Sequence, residues 1–74
     1  MMWVYHSPIG DLIIKRWTNG KYVLLYDNER YGFWASPQAV ADEVYTHTTG
    51  CTEWDLLDCQ VEDEPSDLSE WQRL

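Results

Sequence analysis

A chain of 74 residues and 8.8 kDa has room for one small domain, which buries only about 60–65% of the surface its unfolded form exposes. Five Trp, five Tyr and one Phe each offer roughly 150–250 Å² for removal from water, so aromatics rather than cross-links are expected to build the core. The net charge of −8 argues against nucleic acid and anionic membrane surfaces as partners, because phosphate groups repel such a chain at long range.

The charge is unevenly placed. Up to Ser36, Lys15, Arg16, Lys21 and Arg30 face Asp11, Asp27 and Glu29, a balance of +1. From Pro37 onward only Arg73 opposes Asp42, Glu43, Glu53, Asp55, Asp58, Glu62, Asp63, Glu64, Asp67 and Glu70, a balance of −9. A basic protein partner suits that second part. No apolar run exceeds Tyr22–Tyr26, so neither a signal peptide nor a spanning helix is expected, and a cytoplasmic location is. In that compartment Cys51 and Cys59 are expected as reduced thiols.

In chain order, Trp3–His6, Leu12–Thr18, Lys21–Tyr26 and Arg30–Ala35 are rich in aromatic and branched residues and read as strands. Three turn signals separate them. Ser7-Pro8-Ile9-Gly10 suits a type I turn, with Pro pre-setting φ at the second position. Asn19-Gly20 predicts a two-residue type I′ hairpin, which needs φ > 0 at both central residues. Asp27-Asn28-Glu29 is the weakest of the three signals. The result is a three- to four-stranded antiparallel meander. In its third segment Tyr22, Leu24 and Tyr26 share one face and Val23 and Leu25 the other, so that strand is expected to be covered on both sides.

One cover follows directly. Ser36-Pro37 gives an N-cap and a proline at the first helical position, where the missing N–H costs nothing. Val40 and Val44, with Ala41 beside them, then make an apolar stripe, and the spacing predicts a helix from roughly Pro37 to Thr48 that ends at a left-handed Gly50. Trp54, Leu56 and Leu57 form the last dense apolar group. Residues 1–59 are thus one compact α+β domain, and residues 60–74 an acidic, partly ordered tail. Residues near 60–65 look like a solvated linker. A further helical turn capped by Ser66 would dock back through Leu68 and Trp71.

The stretch Thr46–Asp55 (THTTGCTEWD) gathers a histidine, a thiol and two carboxylates. His47, Cys51 and Cys59 are candidate metal ligands, with Glu53, Asp55 or Asp58 as a fourth, but no C-x-x-C or H-x-x-x-H spacing supports them. A Cys51 nucleophile with His47 as base is disfavoured, since the thiol would follow a helix C-terminus and sit beside two acids. His47 in the last turn suits bonding to unpaired carbonyls, and Thr46, Thr48 and Thr49 suit local hydroxyl bonding rather than phosphate binding. Glu53, Asp55 and Asp58 read as a solvated acidic face. No catalytic residue, metal or cofactor is expected. The segment YGFWASPQAVADEVY resembles the third strand and helix of plant-type AP2 DNA-binding domains. Those domains read DNA with basic strand residues, and here the cations are too few beside thirteen acids.

Eleven large aromatics cannot all lie inside so small a domain, so some are expected at the surface as protein-binding anchors: Trp3, Tyr5, Trp17, Tyr31, Trp34 and Trp54. The segments MWVYHSPIG, SPQAVADEVYTHTTGCTEWDLLD and PSDLSEW together resemble a family of small uncharacterised bacterial proteins, over nearly the whole chain. The resemblance implies a compact bacterial cytoplasmic domain and no particular activity. A non-enzymatic protein-interaction module is therefore the leading expectation, acting on an unknown and basic protein partner, as a monomer or as a weak homodimer through an open sheet edge. A metal- or thiol-dependent protein centred on His47, Cys51 and Cys59 is the alternative. A third reading has the acidic tail mimic nucleic acid in a basic protein groove.

Overall fold

The structure, a computed structural model, describes residues 2–58, 60–61 and 64–74. Strands β1 (Met2–Ser7), β2 (Gly10–Arg16), β3 (Tyr22–Tyr26) and β4 (Glu29–Trp34) form an antiparallel meander, followed by α1 (Pro37–Thr46) and the short α2 (Thr52–Asp55). A 3₁₀ turn at Leu68–Glu70 then leads into β5 (Gln72–Arg73). The α+β class is as expected. The sheet has five strands rather than three or four, in the order β4-β3-β2-β1-β5, because the chain end returns to pair Arg73 with Trp3 and Gln72 with Val4.

The turns depart from the simplest reading. Asp27 and Asn28 both have positive φ (53° and 65°) between the paired residues Tyr26 and Glu29, so the weakest signal makes the two-residue hairpin of type I′. At Asn19-Gly20 only Gly20 is left-handed, at φ 80°. There the Gly20 N–H donates to the Trp17 carbonyl at 3.1 Å and the Trp17 N–H to the Lys21 carbonyl at 2.7 Å, a three-residue loop with a bulge at glycine. One residue of extra slack decides the difference, since Arg16 pairs with Tyr22 and leaves five residues between them. Ser7 pairs with Gly10 across Pro8-Ile9, as the first turn signal predicts.

Helix α1 begins as expected, with the Ser36 hydroxyl accepting from the Ala39 N–H at 3.2 Å and Pro37 in the first turn. It ends earlier than expected. His47, not Gly50, is the left-handed cap at φ 57°, and its N–H donates to Glu43 and Val44 carbonyls. A non-glycine residue held there costs about 1–2 kcal/mol, which other contacts of His47 offset. The helix lies on β2, β3 and β4. Val40, Ala41 and Val44 meet Leu12, Ile14 and Leu24, with Cys51, Trp54 and Trp71 completing the buried cluster.

The C-terminal residues are part of this core. Pro65 and Trp71 are buried and Leu68 is half-buried against the cluster. The 3₁₀ turn is capped by Asp67, whose carboxylate accepts from the Ser69 N–H at 3.1 Å, rather than by Ser66. Ser66 instead gives its N–H and hydroxyl to Glu70, at 2.8 and 2.9 Å. Of the expected linker near 60–65, Glu62 and Asp63 lie outside the described residues, as does the candidate ligand Cys59.

Candidate functional site

Two regions carry the residues singled out by sequence: the corner after α1 and the sheet itself. The corner is built around Trp54, which is completely buried. Its indole N–H donates to the Val44 carbonyl at 2.8 Å, closing one of the acceptors that the end of a helix leaves open. The His47 ring stacks on the indole with centroids 4.5 Å apart and planes at 11°. Asp55 holds the intervening loop, accepting from the Thr49 N–H at 3.1 Å, the Thr49 hydroxyl at 2.9 Å and the Gly50 N–H at 2.9 Å. Thr46 bonds back to the Asp42 carbonyl at 3.1 Å, and the Thr48 hydroxyl donates to the Glu43 carboxylate. The threonines thus do the local bonding expected of them.

Both ring nitrogens of His47 are occupied. Nδ1 faces the Trp54 carbonyl at 2.9 Å; a carbonyl only accepts, so Nδ1 carries a proton. Nε2 lies 2.5 Å from the Glu64 carboxylate, a charge-assisted contact. Burial pulls the His47 pKa down, but the Trp54 carbonyl, Glu64 and the more distant Asp58 outweigh it, and the net shift is upward. Through these two contacts the His47 ring ties the segment at Glu64 to the corner, and protonation of the ring strengthens the tie. Cys51 is 1% exposed and opens α2 as its N-cap, so the thiol does not simply trail a helix end. Among the described residues no three His, Cys, Asp or Glu side chains are grouped to hold a metal ion. The corner is a structural joint.

The sheet has two unlike faces. Register places Trp3, Ile14, Leu24 and Tyr31 in one row and Tyr5 opposite Leu12; these side chains point at α1 and belong to the core or its rim. The opposite row runs Val4, Ile13, Leu25, Arg30. Beside it lie His6 opposite Asp11, and Met2 and Val23 on either side of Lys15. None of these apolar residues joins the cluster around α1. The expected second cover is thus missing among the described residues. Ile13 and Leu25 remain half-buried on that side, although Val23 is fully enclosed.

Two aromatics complete the open face. The Arg30 guanidinium sits 5.1 Å from the centre of the Trp17 ring, which places Trp17 on Arg30's side of the sheet. In β4, Tyr22 pairs with Trp34 and Leu24 with Tyr31, so Gly32 and Phe33 together oppose Val23 in a bulge. Gly32 has φ 75°, and a Cβ there would stand 3.1 Å from the Trp34 ring. The bulge keeps Tyr31 and Trp34 both against α1 and turns Phe33 outward, where it is 47% exposed.

The expected aromatic anchors therefore separate. Trp54 lies in the core and cannot touch a partner. Trp3, Tyr5, Tyr31 and Trp34 are half-buried around the core, where Tyr5 meets Trp54 and Trp71 edge-on or tilted at 5.8 and 5.7 Å. Burial first, then Glu29 and Cys51, holds the Tyr31 hydroxyl well above its ordinary pKa. Only Trp17 stands on the open face. Ile13, Leu25 and Phe33 were not among the sequence candidates; the one signal for them was the apolar character of both faces of β3.

A groove of about 330 Å³ opens at one end of this face, between the β1–β2 and β3–β4 turns, lined by Ile9, Gly10, Asp11, Ile13, Leu25, Tyr26, Asp27 and Asn28. The Tyr26 hydroxyl donates to the Ile9 carbonyl at 2.9 Å and ties the two turns together. Asp11, 2.6 Å from His6 Nδ1, raises the His6 pKa, and Gln72 adds to the shift. No family model, curated protein or solved structure matches the chain.

Proposed function

We propose that this chain is a non-enzymatic protein-interaction module of the small bacterial family it resembles, and that it binds through the open face of its sheet. One observation carries the reading. Ile13, Leu25, Trp17 and Phe33 lie on the side of the sheet away from α1, and no element among the described residues covers them. A row of apolar and aromatic side chains flanked by Lys15 and Arg30 has the apolar centre and charged rim of a binding surface. The corner supports the same reading by elimination, since its histidine and carboxylates are spent on holding the fold. No helix of the described residues is long and apolar enough to cross a membrane, and the module is taken to act in the cytoplasm.

A photo-crosslinking amino acid placed at Leu25 or Phe33, and as a control at Tyr45 on the helix side, tests this in cells that make the protein. Protein adducts at the first two positions and not at Tyr45 are the expected result. Equal labelling at all three, or none at any, overturns the reading.

A further inference from the structure

We infer that the partner on the open face is a second copy of this chain, stacked about a two-fold axis that passes near Ile13; the inference rests on the open-face reading above. The charges of that face are sorted along the strands. At the end with the β1–β2 and β3–β4 turns, Asp11 and Asp27 border the groove. In the middle lie Ile13 and Leu25, directly paired. At the other end stand Lys15, Trp17 and Phe33, and Arg30, rooted in the middle row beside Leu25, reaches its guanidinium over the Trp17 ring. Two carboxylates, one of them already holding His6 at 2.6 Å, face two cations, so this surface lacks the acidic excess of a chain whose net charge is −8.

That arrangement is its own complement. In a two-fold interface each contact occurs twice, residue i on j and j on i. Ile13 lies midway between Asp11 and Lys15 on β2, and four residues of strand span about 13 Å. Rotation by a half-turn about Ile13 therefore lays Asp11 of each copy on Lys15 of the other. It also brings the Phe33 end over the groove at Asp27, with the Arg30 guanidinium, which leans toward Trp17, beside it. A basic segment would suit Asp11 and Asp27 and be repelled by Lys15 and Arg30, and an acidic one the reverse. The helix side offers no rival surface for a second copy, because α1, α2 and the C-terminal segment carry acids on both partners.

Size sets the strength. Four strands about 4.8 Å apart and about six residues long, with the two-residue β5 at one edge, make a face of roughly 20 by 20 Å, smaller than the roughly 800 Å² per partner of stable complexes. The dimer is expected to be reversible and micromolar or weaker, and to loosen with salt.

Sedimentation equilibrium of the full chain, from micromolar to millimolar concentration at low and high salt, is the test, with Asp11→Lys, Lys15→Asp and the double variant alongside. Asp11 and Lys15 are both exposed, and circular dichroism checks that each variant is folded. The expected result is a wild-type dimer, at least tenfold weaker in each single variant and recovered in the double variant, whose polarity is reversed but again self-complementary. A wild-type chain that stays monomeric at millimolar concentration overturns the inference, as does a double variant no better than the singles. If the chain is monomeric yet crosslinks through Leu25 to other proteins, the second copy is ruled out while the open-face reading stands. Absence of both removes both.

Discussion

The two faces of the sheet are made of similar residues and differ in what lies over them. Toward α1, Leu12, Ile14 and Leu24 are wholly buried, with Trp3, Tyr5, Tyr22, Tyr26, Tyr31 and Trp34 around them. On the other side Val4 and Val23 are buried among their sheet neighbours, while Ile13 and Leu25 stay half-buried and Phe33 exposed, with no helix among the described residues laid over them. What separates the two is a partner element rather than hydrophobicity. The covered face needs the joint at Thr46–Asp55 to bring α2 and the C-terminal segment across it, and so the chemistry-bearing residues of that stretch are consumed in architecture.

The largest test of this contrast is Trp54→Ala. It removes a buried indole, its hydrogen bond to Val44 and the stack under His47, and should cost about 3–5 kcal/mol. Small domains have roughly 5–15 kcal/mol in all, so a fall in the urea midpoint of about a fifth or more is expected. Glu64→Gln comes next, at about 1.5–3 kcal/mol for a hydrogen bond to a charged group. Its effect depends on pH with a fixed sign. The His47 pKa is raised in the fold, so its contribution is complete below the unfolded value near 6.5 and is lost as pH rises through the folded value. Thermal melts of wild type and Glu64→Gln should differ most at pH 5–6 and converge in alkaline solution; a gap that widens with pH would contradict the raised His47 pKa.

Asp55→Ala should cost about 1–2 kcal/mol, since three donors in the Thr49-Gly50 loop lose their acceptor; amide exchange at Thr49 and Gly50 should quicken in parallel. Phe33→Ser has the smallest effect on folding, within about 0.5 kcal/mol for an exposed side chain. In sedimentation runs it should nonetheless weaken self-association several-fold. A loss of stability there comparable to that of Asp55→Ala would mean that Phe33 belongs to the fold and not to a binding surface.

Much of the frame was legible because it depends on neighbours in sequence. Ser36-Pro37 starts a helix wherever an apolar stripe follows, and Ser7-Pro8-Ile9-Gly10 turns the chain through Pro φ and a side-chain bond within four residues. Gly50 illustrates the limit. It has positive φ, 89°, as a helix end would ask, yet the helix stops three residues earlier because Trp54 and Glu64, seven and seventeen residues beyond His47, hold that residue in the left-handed conformation. The candidate site was legible only in part for the same reason. Trp17 was a candidate, but so was Trp54, and composition cannot separate an anchor from a core residue.

The sequence by itself determined the α+β class, the meander order, the helix start and the sign of the charge in each half, all set by short-range sterics, periodicity or simple addition. Tertiary structure alone decided which side of the sheet each aromatic takes, that the acidic chain end becomes a fifth strand, and that His47 is a clasp. It also set Asp11 and Asp27 at one end of an open face and Lys15 at the other. Those outcomes come from long-range pairing and from a bulge at Gly32 that shifts Phe33 outward, and such pairings leave no local pattern in the chain.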